Sequence, residues 1–291
     1  MAAVSVPGYP YVAPPVAPPV RPKRRWWLIG IVVGWVLVLV GQAFWSVRND
    51  PPTVPEQRDI ARALPVLQRA TGAMLAAADG TGRAVVLGEL HLVSGCRITP
   101  VRDGIEATRA VTVYVQADQA PQVLDAIAAA LPRDYRAAVA QSSGGTRVEL
   151  QADAGGYVAI DADTPADEQV FTLEASTGCR PVDGAEPESP DPAARPQPAT
   201  LTKVLAVLGA STVQTPAVRT VGCPGGGTAG TYTVDNLAAP ADLGGALRPA
   251  MTGATVVRSD PRGWAYRLGS DSVVVIEDGG RLQVSTTTAC T

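Results

Sequence analysis

The sequence predicts an α+β protein: a single N-terminal transmembrane helix followed by two tandem, related, disulfide-stapled domains with mainly antiparallel sheets. Three observations support this prediction. Residues 26–47 contain no charged side chain. Beyond them, short stretches of alternating apolar residues recur between Gly-rich and Pro-rich turns, as in sheets with one buried face. The four cysteines occupy equivalent places in a pattern of helices and strands that occurs twice.

The apolar run comes first because it divides the chain into two parts. A membrane-spanning helix needs about 20 mostly apolar residues, and residues 26–47 supply them. Basic residues precede the run, whereas only Arg48 follows it closely, so the N-terminus is expected in the cytoplasm and the rest outside. The membrane anchors predicted from basic and aromatic residues at the two ends are Arg24, Arg25, Trp26, Trp27 and Trp45.

A cleaved signal peptide is the alternative to an anchor. Residues 41–43 read Gly-Gln-Ala and offer small residues for cleavage before Phe44. The apolar character nevertheless continues through Val47 and the leader is long, so an uncleaved anchor is preferred. No cysteine lies near the end of the run, which excludes a lipoprotein.

The short segments on either side of the run have different compositions. Residues 1–25 form a Pro-rich cytoplasmic tail, predicted to be disordered or polyproline II, and residues 15–18 fit a PxxP pattern. A tail of this length is too short for a folded signalling domain. Residues 48–55 form a Pro-containing stalk that is expected to hold the outer part close to the membrane.

The first extracytoplasmic domain is predicted to cover residues 56–180. A helical pattern over 56–78 is followed by a strand over 84–93 that continues to Cys96. A loop, a strand over 111–116 and a helix over 121–131 come next, and further strands lead to Cys179. Residues 181–198 contain six prolines and no apolar periodicity, which predicts a linker.

The second domain, residues 199–291, repeats the order of the first. A helix is followed by a strand that ends at Cys223, then by a strand, a helix and more strands up to Cys290. Four cysteines allow three pairings. If each half is one domain, the disulfides are Cys96–Cys179 and Cys223–Cys290, as expected for an oxidising compartment outside the cytoplasm.

Charge and composition exclude some partners. All 27 acidic residues lie at Asp50 or later, whereas four of the 24 basic residues lie in the tail, so the outer part is acidic. An acidic surface does not favour nucleic acid. The basic residues are almost all Arg, and the chain is rich in Ala, Val and Pro. This composition resembles that of many actinobacterial envelope proteins.

Few residues suggest chemistry. Glu89 and the chain's one histidine, His91, share one face of a strand, where they are either a catalytic or metal-binding pair or the solvated side of that strand. The preferred interpretation is that the two residues lie on the solvated side of the strand. A carboxylate cluster at Asp161, Asp163 and residues 167–168 is assigned to one loop without calcium-loop spacing. Trp264 is assigned to a half-buried strand. The sequence predicts no catalytic residue, no cofactor and no metal.

The sequence therefore predicts a non-catalytic binding or scaffold protein of the bacterial cell envelope, anchored in the cell membrane by a single span. Its ligand, a protein or another envelope component, is not identified by the sequence. The alternative is an accessory subunit of a membrane complex, assembled through the transmembrane helix and the Pro-rich tail. A third hypothesis is an envelope enzyme that uses Glu89 and His91.

Overall fold

The computed structural model describes residues 26–49, 58–100, 102–142, 144–184, 191–210 and 215–290. It consists of two compact units, Met1–Pro51 and Pro52–Thr291. The first unit contains helix α1 (Trp26–Asn49), which ends two residues later than predicted. Within α1, Trp26–Trp45 is long and apolar enough to cross a membrane, with a mean hydropathy of 2.2.

Helix α1 is apolar on all sides. Every side chain from residue 26 to residue 45 is exposed, including Trp26, Trp27 and Trp45, the aromatic residues predicted to be membrane anchors. A helix with this surface requires lipid or another protein around it. The basic anchors Arg24 and Arg25, the Pro-rich tail and most of the stalk lie outside the described residues.

The second unit begins with a helix and a six-stranded antiparallel sheet, which we call the first half (residues 58–184). Its strands follow the order β1-β2-β6-β5-β4-β3. The helices are α2 (Ile60–Ala78) and α3 (Ala120–Ala130), with a 3-10 turn at Arg133–Tyr135, and the strands are β1 (Arg83–Thr99), β2 (Arg102–Val115), β3 (Ala138–Gln141), β4 (Arg147–Asp153), β5 (Ala159–Pro165) and β6 (Val170–Arg180).

The second half (residues 191–290) contains a second six-stranded antiparallel sheet, with the order β7-β8-β12-β11-β10-β9. The two sheets therefore have the same order of strands. The elements are α4 (Ala199–Val207), β7 (Ala217–Gly222), β8 (Thr228–Ala238), α5 (Leu243–Leu247), β9 (Thr255–Asp260), β10 (Gly263–Leu268), β11 (Asp271–Asp278) and β12 (Arg281–Thr287).

Each sheet packs its helices on one face. In the first half, α2 and α3 bury Leu67 and Leu124 against alternate residues of the strands, such as Leu150 and Leu173. In the second half, α4 and α5 cover the face that carries Tyr266 and its neighbours. This segregation of helices to one side of an antiparallel sheet is the α+β arrangement that the sequence predicted.

The helix-free face of the second sheet packs against the first half. A small apolar cluster fills this junction, with Ala84 and Tyr114 from the first sheet and Val274 from the second. The backbone N–H of Leu87 donates to Thr231 Oγ1 at 2.8 Å across the junction. Two ion pairs, Arg219 with Glu89 and Arg267 with Asp79, also join the halves.

The segment between the halves is attached to both of them. Asp191 accepts two hydrogen bonds from Arg109 of β2, at 2.8 and 3.0 Å, and one from the backbone N–H of Thr220 at 2.8 Å. The Arg109 side chain is fully buried. It also donates to Gln68 Oε1 at 2.9 Å and to the carbonyl of Gly88 at 3.1 Å. The described end of the linker is therefore part of the packing, not a free spacer.

Two disulfides are present, Cys96–Cys179 and Cys223–Cys290, with sequence separations of 83 and 67 residues. Each disulfide lies within one half and joins the region of its first strand to the region of its last strand. Cys96 lies in β1 and Cys179 in β6, whereas Cys223 directly follows β7 and Cys290 follows the end of β12. The strand between the bonded pair is β2 in the first half and β8 in the second. Both disulfides thus fix strands that are distant in sequence.

The prediction of a loop before residue 111 is wrong. Strand β2 begins at Arg102 and pairs with the extended end of β1, for example Arg97 with Asp103 and Cys96 with Gly104. Buried positions alternate along β2 at Ile105, Ala107 and Arg109, but one of them is a small residue and another is a buried arginine. The apolar periodicity that reveals a half-buried strand is therefore weak there.

Candidate functional site

Glu89 and His91 lie on β1 and are both exposed, while Leu90 and Leu92 pack against the helix-side core. Arg219 of β7 donates to Glu89, with Nε and Oε1 3.1 Å apart. This hydrogen bond, and then the positive charge of Arg219, lower the pKa of Glu89. The carboxylate is thus held by an arginine of the other half and is occupied in the packing of the halves.

Metal chemistry has no support among the described residues. Within the described ranges, no group of three or more His, Cys, Asp or Glu side chains is placed to hold a metal ion. The predicted carboxylate loop is also wrong: Asp161 and Asp163 lie inside strand β5, whereas Asp167 and Glu168 lie in the turn before β6. The strand separates the two pairs, so they do not form one cluster.

The structure instead places Asp161 and Asp163 on an exposed sheet surface that we call the open face. It is the helix-free side of β3, β4, β5 and β6. Its residues are all exposed and alternate with buried or partly buried ones along each strand. They are Ala138, Ala140, Glu149, Gln151, Asp161, Asp163, Thr172 and Glu174.

Like charges stand directly opposite each other on the open face. Glu149 of β4 is in register with Asp163 of β5, and Asp161 of β5 is in register with Glu174 of β6. Directly opposite residues have Cβ atoms about 4.5–5.5 Å apart, and like charges in such positions destabilise a sheet. Arg147, at the end of β4, forms an ion pair with Asp163 and neutralises part of this charge.

The corresponding side of the second sheet is covered. Thr231, Thr233, Ser285 and Thr287 are buried on its helix-free face, and Thr231 and Thr287 are hydrogen-bonded to each other at 2.7 Å. The first half covers this surface through β1 and β2. The helix-free side of β3–β6 has no such cover from the described residues, although it is built on the same strand order.

Glu149 and Glu174 were not recognised as site residues from the sequence. The signal was present, because Glu149 lies between Val148 and Leu150, two fully buried residues. Such alternation identifies an exposed position on a half-buried strand. The two glutamates lie beside Asp161 and Asp163 because β4, β5 and β6, which are consecutive in the sequence, pair in a register that the alternation alone does not specify.

Trp264 has the half-buried position that was predicted for it. It packs against the second core, while Tyr266 of the same strand is fully buried. A cleft of about 410 Å³ lies beside Trp264, between the start of α5 and the β9–β10 turn. Its two carboxylates have structural partners: Asp242 accepts from the N–H of Gly245 at 2.9 Å, and Asp260 accepts from the N–H of Arg262 at 2.8 Å.

Comparison with known proteins adds little. No protein-family model and no curated protein matches the chain. A crystal structure of a DUF4853 family protein from Actinomyces odontolyticus is similar over 46% of this chain and 75% of that one, at 14% identity and a TM-score of 0.34. A likeness this distant says nothing about function. The apolar N-terminal helix and the two disulfides indicate a secreted or membrane-anchored extracytoplasmic protein.

Proposed function

We propose that this protein is a non-catalytic binding protein of the bacterial cell envelope, anchored in the cell membrane by α1 with its N-terminus in the cytoplasm. Its two halves are related tandem domains that lie outside the membrane. The open face binds a partner protein that presents lysine and arginine side chains. The partner's chemistry follows from the charge of the surface that is left uncovered.

One observation carries this proposal: two directly opposed carboxylate pairs persist on a sheet face that the rest of the described chain leaves exposed. Glu149, Asp161, Asp163 and Glu174 repel one another, and a sheet selected only for stability would not place them in register. A basic partner surface would relieve the repulsion on binding. Complementary charge also accelerates association and excludes acidic competitors.

The tandem-domain part of the proposal is supported by topology. Both sheets have their strands in the order first, second, sixth, fifth, fourth, third within their own half. Each half also starts with a helix and has a disulfide between the first and last strand regions. A duplicated domain that later acquired different surfaces accounts for both features. One copy now covers the other, and the open face belongs to the first copy alone.

The alternative, an accessory subunit that assembles through α1, is favoured by one observation. A Cβ added at Gly30, Gly34 or Gly41 would meet nothing within 4 Å, so these positions leave α1 narrow enough for a close helix neighbour. This alternative requires the span or the tail for association, whereas the open-face proposal does not.

Capture from solubilised cell envelopes distinguishes these proposals. Full-length protein in detergent is used as bait in four forms: wild type, Glu149→Gln/Asp163→Asn/Glu174→Gln, a matched triple variant, and a chimera with an unrelated span and tail. The matched variant neutralises three exposed carboxylates away from the open face, Asp125, Asp134 and Asp278.

The open-face proposal predicts a partner that wild type, the matched variant and the chimera retain and that the open-face variant loses. Its retention should also weaken as salt increases. Retention by the open-face variant and loss by the chimera would contradict the proposal and support assembly through the membrane segment. Turnover of an envelope substrate by the purified protein would contradict the non-catalytic assignment.

A further inference from the structure

A second feature lies at the edge of the open face, where the β1–β2 hairpin folds back over the sheet. The end of β1, at Arg97 and Ile98, forms one wall of a cleft of about 360 Å³. The floor is formed by β5 and β6, at Asp161 and Ser176, and Tyr157 of the β4–β5 turn lies on the far side. The cleft is lined by three strands and one turn of the first half.

The walls of this cleft are held rigidly. The Cys96–Cys179 disulfide ties β1 to β6 beside Arg97, and Cys179 itself lines the cleft. Strand β2 passes beneath, where a Cβ at Gly104 would lie only 2.8 Å from Ile98 Cδ1. Ser176 Oγ donates to Glu106 Oε1 at 2.7 Å and accepts from the N–H of Gly178 at 2.9 Å, so its orientation is fixed.

Tyr157 is held in an unfavourable backbone conformation. Its φ is +61°, in the left-handed region, which a bulky side chain rarely adopts. The buried Arg180 guanidinium stabilises this turn by donating to the carbonyls of Gly156 at 3.1 Å and Tyr157 at 2.6 Å. Gly155 and Gly156, the two preceding residues, also have positive φ. A third glycine would suit the backbone better, but the tyrosine ring packs beneath two guanidinium groups, with the Cζ atoms of Arg58 and Arg180 at 5.4 and 5.9 Å from its centroid. The ring is 40% exposed and its remaining surface lines the cleft.

The two charged side chains of the cleft are not neutralised by one another. Arg97 and Asp161 are both exposed, and neither is in an ion pair with another described residue. They line the same cleft without forming an ion pair with each other. Opposite charges on two walls create a field across the space between them, which orients a dipolar ligand.

We propose that this cleft binds a small zwitterion, namely an amino acid or a short peptide. Its carboxylate pairs with Arg97, its ammonium group pairs with Asp161, and its side chain lies against the Tyr157 ring. A simple anion is disfavoured because Glu174 stands directly opposite Asp161 and adds negative charge at the floor. A simple cation leaves Arg97 unpaired. A ligand that carries both charges satisfies both walls.

The test uses full-length protein in detergent micelles and the dipeptide L-alanyl-L-alanine, with binding measured by isothermal titration calorimetry. N-acetyl-L-alanyl-L-alanine lacks the ammonium group, and L-alanyl-L-alaninamide lacks the carboxylate. Each capped form is expected to bind about tenfold more weakly or worse, since each loses one charge-assisted contact. Equal binding of the three compounds, or no binding of the dipeptide at millimolar concentrations, overturns the proposal.

Variants separate a binding role from a structural one. Arg97→Gln and Asp161→Asn should each reduce affinity about tenfold or more. The controls Arg102→Gln and Asp125→Asn, exposed residues that do not line the cleft, should bind as wild type does. Tyr157→Gly should keep its thermal midpoint, because the relaxed backbone offsets the lost ring contacts, yet lose affinity. Wild-type affinity in folded Arg97→Gln overturns the proposal.

The cleft shares Asp161 with the open face, but the two proposals can be tested separately. Arg97 lies outside the open face, and the triple variant used for capture leaves Asp161 unchanged. Loss of partner capture with intact dipeptide binding, or the reverse, therefore identifies which of the two proposals fails.

Discussion

Gly72→Ala should destabilise the protein, although helix propensity alone predicts the opposite. Gly72 lies inside α2, where alanine is preferred over glycine by about 1 kcal/mol. In the structure, however, a Cβ at Gly72 would approach the carbonyl oxygen of Gly222 to well under 3.0 Å, a separation that real Cβ atoms essentially never show. Glycine thus allows α2 of the first half to contact β7 of the second.

The size of the effect follows from what must move. The obstacle is a backbone carbonyl, which cannot rotate away as a side chain can, so α2 and β7 must separate. Val221 and Ala229, both buried in the core beside α2, would lose packing contacts. Overpacking of this kind costs about 1–3 kcal/mol, and a gap of 0.5–1 Å removes about a quarter to a half of the dispersion energy there. Because the obstacle is backbone, the cost should lie in the upper part of this range, about 2–3 kcal/mol, and subtracting the propensity gain of about 1 kcal/mol leaves a net loss of about 1–2 kcal/mol.

The assay is urea denaturation of the full-length protein in detergent, followed by far-UV circular dichroism, with hydrogen exchange at α2 and β7. Gly222→Ala is the matched control. A Cβ at Gly222 would meet nothing within 4 Å, and its φ is outside the left-handed region, so this variant should be as stable as wild type or slightly more stable. If Gly72→Ala were as stable as wild type, the close packing of the halves would be refuted.

Three further predictions use the same denaturation assay. Removing the Cys96–Cys179 disulfide by Cys→Ala at both positions should lower the free energy of unfolding by about 4 kcal/mol, because the disulfide closes a loop with a sequence separation of 83 residues. A loss below about 1 kcal/mol would contradict this role. Glu174→Gln should raise stability by about 0.2–1 kcal/mol, and the gain should shrink at high salt; a loss of stability would argue against repulsion on the open face. Arg219 lowers the pKa of Glu89 in the folded protein below its value in the unfolded chain. The ion pair therefore stabilises the fold fully at a pH above the unfolded-state pKa, and this stabilisation is lost as the pH falls through the folded-state pKa. The free energy of unfolding of wild type should therefore exceed that of Glu89→Gln by at most about 1 kcal/mol at neutral pH, since the pair is partly exposed. A difference that persisted in strong acid would contradict the assignment.

Much of the fold could be predicted because local signals were strong. The uncharged run identified α1, and alternating apolar residues identified strands such as β4 and β10 to within one or two residues. The cysteines could be paired because the order of elements repeats in the two halves. In these segments, the local pattern and the buried face of the final structure coincide.

Other features depend on contacts that no local pattern reveals. Asp161 and Asp163 were assigned to a loop, because no large apolar residue continues the alternation after Ile160. The residue between them, Ala162, is nevertheless buried and continues the strand. Asp191 was assigned to a semi-rigid Pro-rich linker, although it binds the buried Arg109, which is 82 residues away in sequence. The open face itself arises from register between strands and from the way one sheet covers only part of the other.

The most direct test of partner binding by the open face is photocrosslinking in living cells, with a photoreactive amino acid incorporated on that face. Full-length protein with the probe at Glu174, on strand β6 of the open face, is compared with protein carrying it at Asp125, an exposed position of α3. If the open face binds a partner protein, we expect a crosslink to another envelope protein from position 174 and none from position 125. A crosslink from α3 alone, or none from the open face, would contradict the claim that this surface is where the protein binds its partner.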